Sequence, residues 1–168
     1  NDRFFFSLLE LFTGLKRQAQ RVTLSDADNK KHLDKVTHLP DSTLFSDRLA
    51  VALSHHQRNK KNLLVLIVEL SNLVFINHTM GQEKGTTTVQ EVSRRLQEKV
   101  RKVDTVARLE GTEFGAVLSD FKDIKQIPGY LEGLQRHLAQ PIKSGSAVIT
   151  PDIFIGHSFF PDEGDSAD

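Results

Sequence analysis

Two acidic segments stand where chemistry is easiest to place. Glu69 lies at the end of the run Leu63-Leu64-Val65-Leu66-Ile67-Val68-Glu69-Leu70. A carboxylate there is either functional or an acid at the solvent edge of a sheet. Glu110 and Glu113 flank Gly111-Thr112 in what reads as a tight hairpin, with glycine supplying the unusual dihedral. His55-His56 tempts a metal reading. Neighbours on a helix point about 100° apart, so the two rings cannot easily share an ion. They read as solvated histidines near a helix end. The chain has no cysteine. That removes disulfides, thiolate zinc sites and cysteine nucleophiles, and it leaves the redox compartment unreported.

The elements that must position these residues follow from periodicity. The run 63–70 is uninterrupted, apolar and rich in branched residues, which predicts a strand buried on both faces with helices on either side. Asp41-Ser42 can cap a helix whose inward positions are Phe45, Leu49, Ala52, Leu53 and His56. A short helical piece spans Leu73 to His78, followed by Met80-Gly81. A long helix is predicted from Glu83 to Val103, with Val89, Val92, Leu96, Val100 and Val103 inward. Its charged residues Glu91, Arg94, Arg95, Glu98, Lys99, Arg101 and Lys102 read as a solvated face. Thr105–Leu109 and Phe114–Leu118 read as the two hairpin strands. A further helix opens at Ile124 or Pro128, with Leu131, Leu134 and Leu138 inward. Short strands follow around Ser144-Gly145, ending in Ile153-Phe154-Ile155-Gly156. The fold class is α+β, a central sheet with helices on its faces.

Residues 4 to about 33 read as mostly helix, broken near Ser25-Asp26, with Leu8, Leu11, Leu15 and Val22 near heptad spacing. Periodicity leaves open whether this segment packs on its own domain or serves as a signalling or dimerisation helix. No stretch reaches the roughly 18 apolar residues that span a bilayer. The start, Phe4 to Phe12, lacks the basic region and cleavage site of a signal peptide. Lys plus Arg number 22 and Asp plus Glu number 22, so formal charge is zero, with a pI near 7.2. That balance argues against a polybasic nucleic-acid arm and against an acidic tail, but one nucleotide needs only a local site.

In order along the chain, five segments resemble one family. Asp34-Lys35-Val36-Thr37-His38-Leu39-Pro40-Asp41 is similar to D-x-L-T-G-L-P-N. Glu69 to His78 is similar to D-x-D-x-F-K-x-I-N-D, and Gly81 to Thr86 to G-H-x-x-G-D. Arg101 to Leu109 is similar to R-x-x-D-x-V-A-R-L, and Glu110-Gly111-Thr112-Glu113-Phe114 stands at the signature G-G-D-E-F. The chain thus resembles the GGDEF domain of bacterial diguanylate cyclases from about Asp34 onward. The resemblance implies a palm-like central sheet, related to nucleotide cyclases and polymerases, and a reaction joining two GTP molecules into cyclic di-GMP. Two domains would meet face to face, each holding GTP with Mg²⁺ between strand-end and hairpin carboxylates.

Position by position, the resemblance implies a vestigial site with no assigned catalytic residue. Glu69 replaces the first metal aspartate, keeping charge on a longer arm, and remains a weak metal candidate. Thr112 replaces the signature's acidic third residue and Glu110 its first glycine, whereas Glu113 keeps the fourth position. Asn77 keeps the guanine-contacting asparagine, but Thr86 replaces the guanine-contacting aspartate, Ser71 an acid and Val74 a phosphate-side lysine. Arg101-x-x-Asp104 matches the family's product-binding inhibitory motif, with Arg136 the nearest candidate for a further arginine. The alternative is a local ion pair. No cofactor is assigned; Mg²⁺ is expected only if GTP binds. These features imply a catalytically degenerate regulatory or receptor domain. The alternatives are a low-activity diguanylate cyclase and a GTP-binding regulator of a tethered EAL phosphodiesterase. Expected partners are cyclic di-GMP or GTP, neighbouring domains such as an EAL domain or an N-terminal sensor, and a second copy of the chain. Nucleic acid is not among them. The organisation is read as a helical linker over 1–33 and a GGDEF-like domain over 34–168. The family's next helix, bearing A-D-x-A-M-Y-x-A-K, would begin where Ser166-Ala167-Asp168 stops. A cytoplasmic location is expected, free or as part of a membrane-anchored protein.

Overall fold

The computed structural model describes residues 26–121 and 123–160. Helix α1 (Asp26–Asn29) precedes α2 (Ser42–Asn59), β1 (Leu63–Leu70), α3 (Leu73–Met80) and α4 (Gln82–Glu98). The chain continues through β2 (Thr105–Arg108), β3 (Glu113–Ser119), a 3₁₀ turn (Ile124–Gln126), α5 (Ile127–Leu138), β4 (Ile142–Ser144), β5 (Ala147–Ile149) and β6 (Ile153–Phe160). Of the helix expected over residues 4 to 33, the part before Asp26 lies outside the described residues. Lys30 to Leu33 are not helical, and Leu33 instead bridges Pro40.

β1 behaves as its composition demands. Every residue of it except Glu69 is buried. It takes the centre of an antiparallel sheet ordered β2-β3-β1-β6. Side chains alternate between the two faces. Leu64, Leu66, Val68 and Leu70 join Phe114, Ala116 and Leu118 beneath Val89, Val92 and Leu96 of α4 and Leu134 and Leu138 of α5. Leu63 and Val65 join Ala107 and Val117 against Phe45 and Leu49 of α2. Helices therefore cover both faces, and the architecture is the expected palm-like α+β sheet.

Local signals set most boundaries. Asp41 caps α2, its Oδ1 accepting from the Leu44 N–H at 3.0 Å. Gly115 on β3 is required by a close approach, because a Cβ there would lie 2.7 Å from the Phe45 ring. β6 runs past Gly156 to Phe160, paired along the whole of β1.

Three expectations are corrected by tertiary contacts. α4 ends at Glu98 rather than Val103, since Asp104 folds the following residues into a turn. Its N–H donates to the Arg101 carbonyl at 3.0 Å, and its carboxylate accepts from the Arg101 N–H at 2.9 Å. Val103 is consequently 75% exposed instead of inward. Arg95 is not on a solvated face but 7% exposed. Its guanidinium donates to Glu91 at 2.8 Å and to the carbonyls of Leu138, Gln140 and Pro141 at 3.2, 2.5 and 3.2 Å. It thereby satisfies carbonyls at and beyond the end of α5. His56 keeps its inward place on the α2 stripe and is not solvated. It is 6% exposed, with Nδ1 2.7 Å from the Ala52 carbonyl oxygen.

The Gly115–Phe45 approach yields a test by urea unfolding. Gly115→Ala should destabilise the chain by about 1–3 kcal/mol through overpacking. Adding Phe45→Leu should return part of that loss; no recovery would mean that the two sites do not share one packing contact.

Candidate functional site

The hairpin between β2 and β3 is closed by its own backbone. Leu109 N–H donates to the Glu113 carbonyl at 2.9 Å and Glu113 N–H to the Glu110 carbonyl at 3.1 Å, with Gly111 at φ 58°. The Thr112 carbonyl also accepts from Leu70 N–H at 2.9 Å, fastening the hairpin to the end of β1. Register then sets Glu69 directly opposite Glu113. Directly opposed residues on neighbouring strands share a face. Burial, then the negative charges of Glu69 and Glu110, push the Glu113 carboxyl above its ordinary range. The structure thus brings Glu69, Glu110 and Glu113 into electrostatic contact. Thr112 adds no charge, and among the described residues no three metal-ligating side chains form a group that could hold an ion.

Arg108 braces this hairpin, a role that its place before the turn did not disclose. Its Nη2 donates to the Gly111 carbonyl at 2.6 Å, and the guanidinium lies 5.2 Å over the Phe114 ring. Burial pulls the Arg108 pKa down, while the charge of Asp34 acts to raise it. Asp34 is itself desolvated, which raises its pKa, but the hydrogen bonds outweigh this and hold it low. Thr37 gives it both hydroxyl and N–H at 2.8 Å, Val36 N–H adds to them, and Arg108 adds its charge. The segment resembling D-x-L-T-G-L-P-N is tied to β2 by its backbone, the Arg108 N–H donating to the Pro40 carbonyl at 2.9 Å.

On α3 and α4 the positions that the resemblance placed beside a nucleotide differ from one another. Asn77 packs against Gly85 so closely that a Cβ on Gly85 would lie 1.7 Å from Asn77 Oδ1, and that oxygen is buried without a hydrogen-bond partner. Thr86, beside it, is half-buried, whereas Val74 is 72% exposed and Phe75 67% exposed. Ser71 donates to the Asp152 carboxylate at 2.7 Å. Asn72 bonds the Thr150 carbonyl and the Asp152 N–H at 2.9 and 3.0 Å. Ser71 and Asn72 thus pin the start of α3 to the loop before β6, an anchoring that sequence reading did not anticipate.

Arg101 and Asp104 lie at the other end of β3, about 20 Å away at the ordinary rise of an extended strand. The Asp104 side chain is 2% exposed. It accepts from the N–H groups of Arg101 and Ser119 at 2.9 and 3.0 Å and from the Arg101 guanidinium at 3.2 Å. That guanidinium also donates to the Ser119 carbonyl. Arg101 keeps 56% of its side chain exposed. Arg136 faces Glu132 along its own helix, 3.9 Å away. The local ion pair is thus present, and the outward side of Arg101 stays open to solvent.

Two tests separate these roles. Asp104→Ala should cost about 2–4 kcal/mol in unfolding, because it strips two backbone N–H groups and a guanidinium of their acceptor. Arg101→Ala should cost about 1 kcal/mol or less, as expected of an exposed partner; equal losses would contradict the assignment of Asp104 as the anchor. For Glu113 the folded-state pKa lies above the unfolded one. The native state then holds its proton longer and loses stability as pH rises through the raised value. Glu113→Gln should therefore unfold at higher temperature than the parent at pH 7, with the gap closing below the ordinary carboxylate range.

Comparison with known proteins agrees with this geometry. The profile of the family described as "Diguanylate cyclase, GGDEF domain" matches residues 31–168. The chain is 26% identical over 163 residues to the diguanylate cyclase TpbB of Pseudomonas aeruginosa, covering 96% of this chain and 37% of TpbB. It is 29% identical over 131 residues to MucR of the same organism, a bifunctional diguanylate cyclase/cyclic di-GMP phosphodiesterase, covering 78% of this chain and 19% of MucR. It therefore spans well under half the length of these relatives. The solved GGDEF domain of TpbB superposes with a TM-score of 0.73 at 27% identity, covering 77% of this chain and 76% of that domain. The chain belongs to the GGDEF domain family and is homologous to the diguanylate cyclases of cyclic di-GMP signalling.

Proposed function

We propose that this domain is a non-catalytic regulatory or receptor module that binds cyclic di-GMP through Arg101. The observation that carries the reading is the contrast between the two ends of β3. At the hairpin end the backbone closes normally, but Thr112 offers only a hydroxyl beside the Glu69–Glu113 pair. Across the α3 side, exposed Val74 supplies no cation for a triphosphate. At the other end Arg101 is held by Asp104 and the Ser119 carbonyl while still facing solvent. With Nε and Nη2 spent on Asp104 and the Ser119 carbonyl, the Nη1 amino group is left to donate to a phosphate oxygen or a base edge.

No resident metal is part of this reading. Mg²⁺ prefers one or two carboxylates together with substrate phosphates, so it would arrive only with GTP. Two observations give the alternatives their content. The in-register Glu69–Glu113 pair is the part a low-activity cyclase would still use. The unpartnered Asn77 Oδ1 is the part a GTP-binding regulator would use. The domain is proposed to work beside others in a longer chain, such as an EAL phosphodiesterase or a sensor, or with a second copy. Among the described residues no helix is long and apolar enough to cross a membrane.

Calorimetry with cyclic di-GMP should show binding to the native chain and at least a roughly tenfold loss with Arg101→Ala, the scale of one charge-assisted hydrogen bond. Absence of heat with the native chain would defeat the receptor reading. Incubation with GTP and Mg²⁺ should yield no cyclic di-GMP above a protein-free control, and product formation would favour the cyclase. Heat from GTP alone would favour the GTP-binding regulator.

A further inference from the structure

His56 is the buried titratable group that the nucleotide reading leaves unused. It lies in the last turn of α2, 6% exposed. Its Nδ1 sits 2.7 Å from the Ala52 carbonyl oxygen. A carbonyl can only accept, so Nδ1 carries the proton of the neutral ring. Nε2 is then a bare lone pair. It is buried without a hydrogen-bond partner, and it faces Asp120 Oδ1 at 3.8 Å. A lone pair opposite a carboxylate gains nothing. One added proton converts the same contact into a charge-assisted N–H···O pair.

The surroundings favour a proton over any other cation. On α2 the neighbouring ring is His55, edge-on at 5.5 Å between centroids, while Arg58 turns back to the Ser54 carbonyl. Lys60 caps the helix, and Lys61 in the α2–β1 connection stands 3.2 Å from Asp120 Oδ2. From the α4–β2 turn, Arg101 lies within the field of Asp120 and is paired with Asp104. Lys61 and Arg101 oppose any added positive charge, but among the described residues a metal ion would also find only one imidazole and one carboxylate as ligands, whereas a proton needs just the Nε2 lone pair and Asp120.

We propose that His56 and Asp120 form a proton-dependent latch. Protonation at Nε2 ties the end of α2 to the exit of β3, and the tie is withdrawn as pH rises. Imidazole is the side chain that changes charge nearest neutrality. Asp120 directly follows Ser119, whose N–H and carbonyl hold Asp104 and Arg101. The latch therefore abuts the mount of the Arg101 turn, although it needs no nucleotide.

The test compares the native 168-residue chain with Asp120→Asn by urea unfolding at pH 8 and pH 5.5. Asp120 sits at φ 55°, a conformation asparagine accepts, so the change removes charge without adding backbone strain. The Lys61–Asp120 pair contributes equally at both pH values and cancels. The unfolding constants of the two chains should diverge by roughly three- to tenfold more at pH 5.5 than at pH 8. The same divergence should persist in a His55→Gln background. Ring ¹⁵N shifts should show His56 protonated only at Nδ1 at pH 8 and at both nitrogens at pH 5.5. Three results would each overturn the latch: an Asp120→Asn effect that ignores pH, a pH effect that vanishes with His55→Gln, or an Nε2 protonated at pH 8.

Discussion

The double-sided burial of β1 is the constraint on which everything else rests. A strand that hides both faces needs partners on both edges and a helical layer above and below. β3 and β6 supply the edges, α4 with α5 one layer, and α2 the other. Once β1 is fixed, so is the place of Glu69, since register leaves it opposite Glu113 whatever the side chains of the hairpin are. The site's geometry is a by-product of core packing. The side chains at the rim are set separately, because the core does not feel them.

That separation lets the rim of such a fold vary without loss of the scaffold. Thr112, Val74 and Thr86 lie at or near solvent and contribute little to the apolar clusters. Phe45 and Gly115, by contrast, are locked to one another through the sheet. The rim can thus change side chain by side chain while the scaffold holds its shape.

What the sequence disclosed follows the same division. β1, the hairpin and the cap of α2 were legible because their signals are local: an apolar run, a glycine between two acids, an aspartate before an amphipathic stretch. Arg95 was misread because its partners, from Leu138 onward, lie 43 or more positions away. For His56 the apolar period placed it inward, as it is, while its position near a helix end suggested solvation, which the structure overturns. The end of α4 was missed because Lys99 to Val103 continue the helical period, and only the Asp104 carboxylate turns the chain aside. At the site, the meeting of Glu69 with the hairpin acid Glu113 was implied by the resemblance alone, and the bracing of the hairpin by Arg108 was not implied at all.

The saturation of Asp104 has a consequence for reading relatives of this domain. The turn after α4 uses that carboxylate as its internal acceptor, so folding alone is a sufficient reason for an aspartate at this place, while the arginine three residues before it adds only an exposed partner. The spacing is therefore a record of architecture. A motif scan that counts it as a receptor would also count domains that merely need the turn. What the turn leaves over is the Nη1 edge of Arg101 facing solvent, and that remainder is visible only in three dimensions.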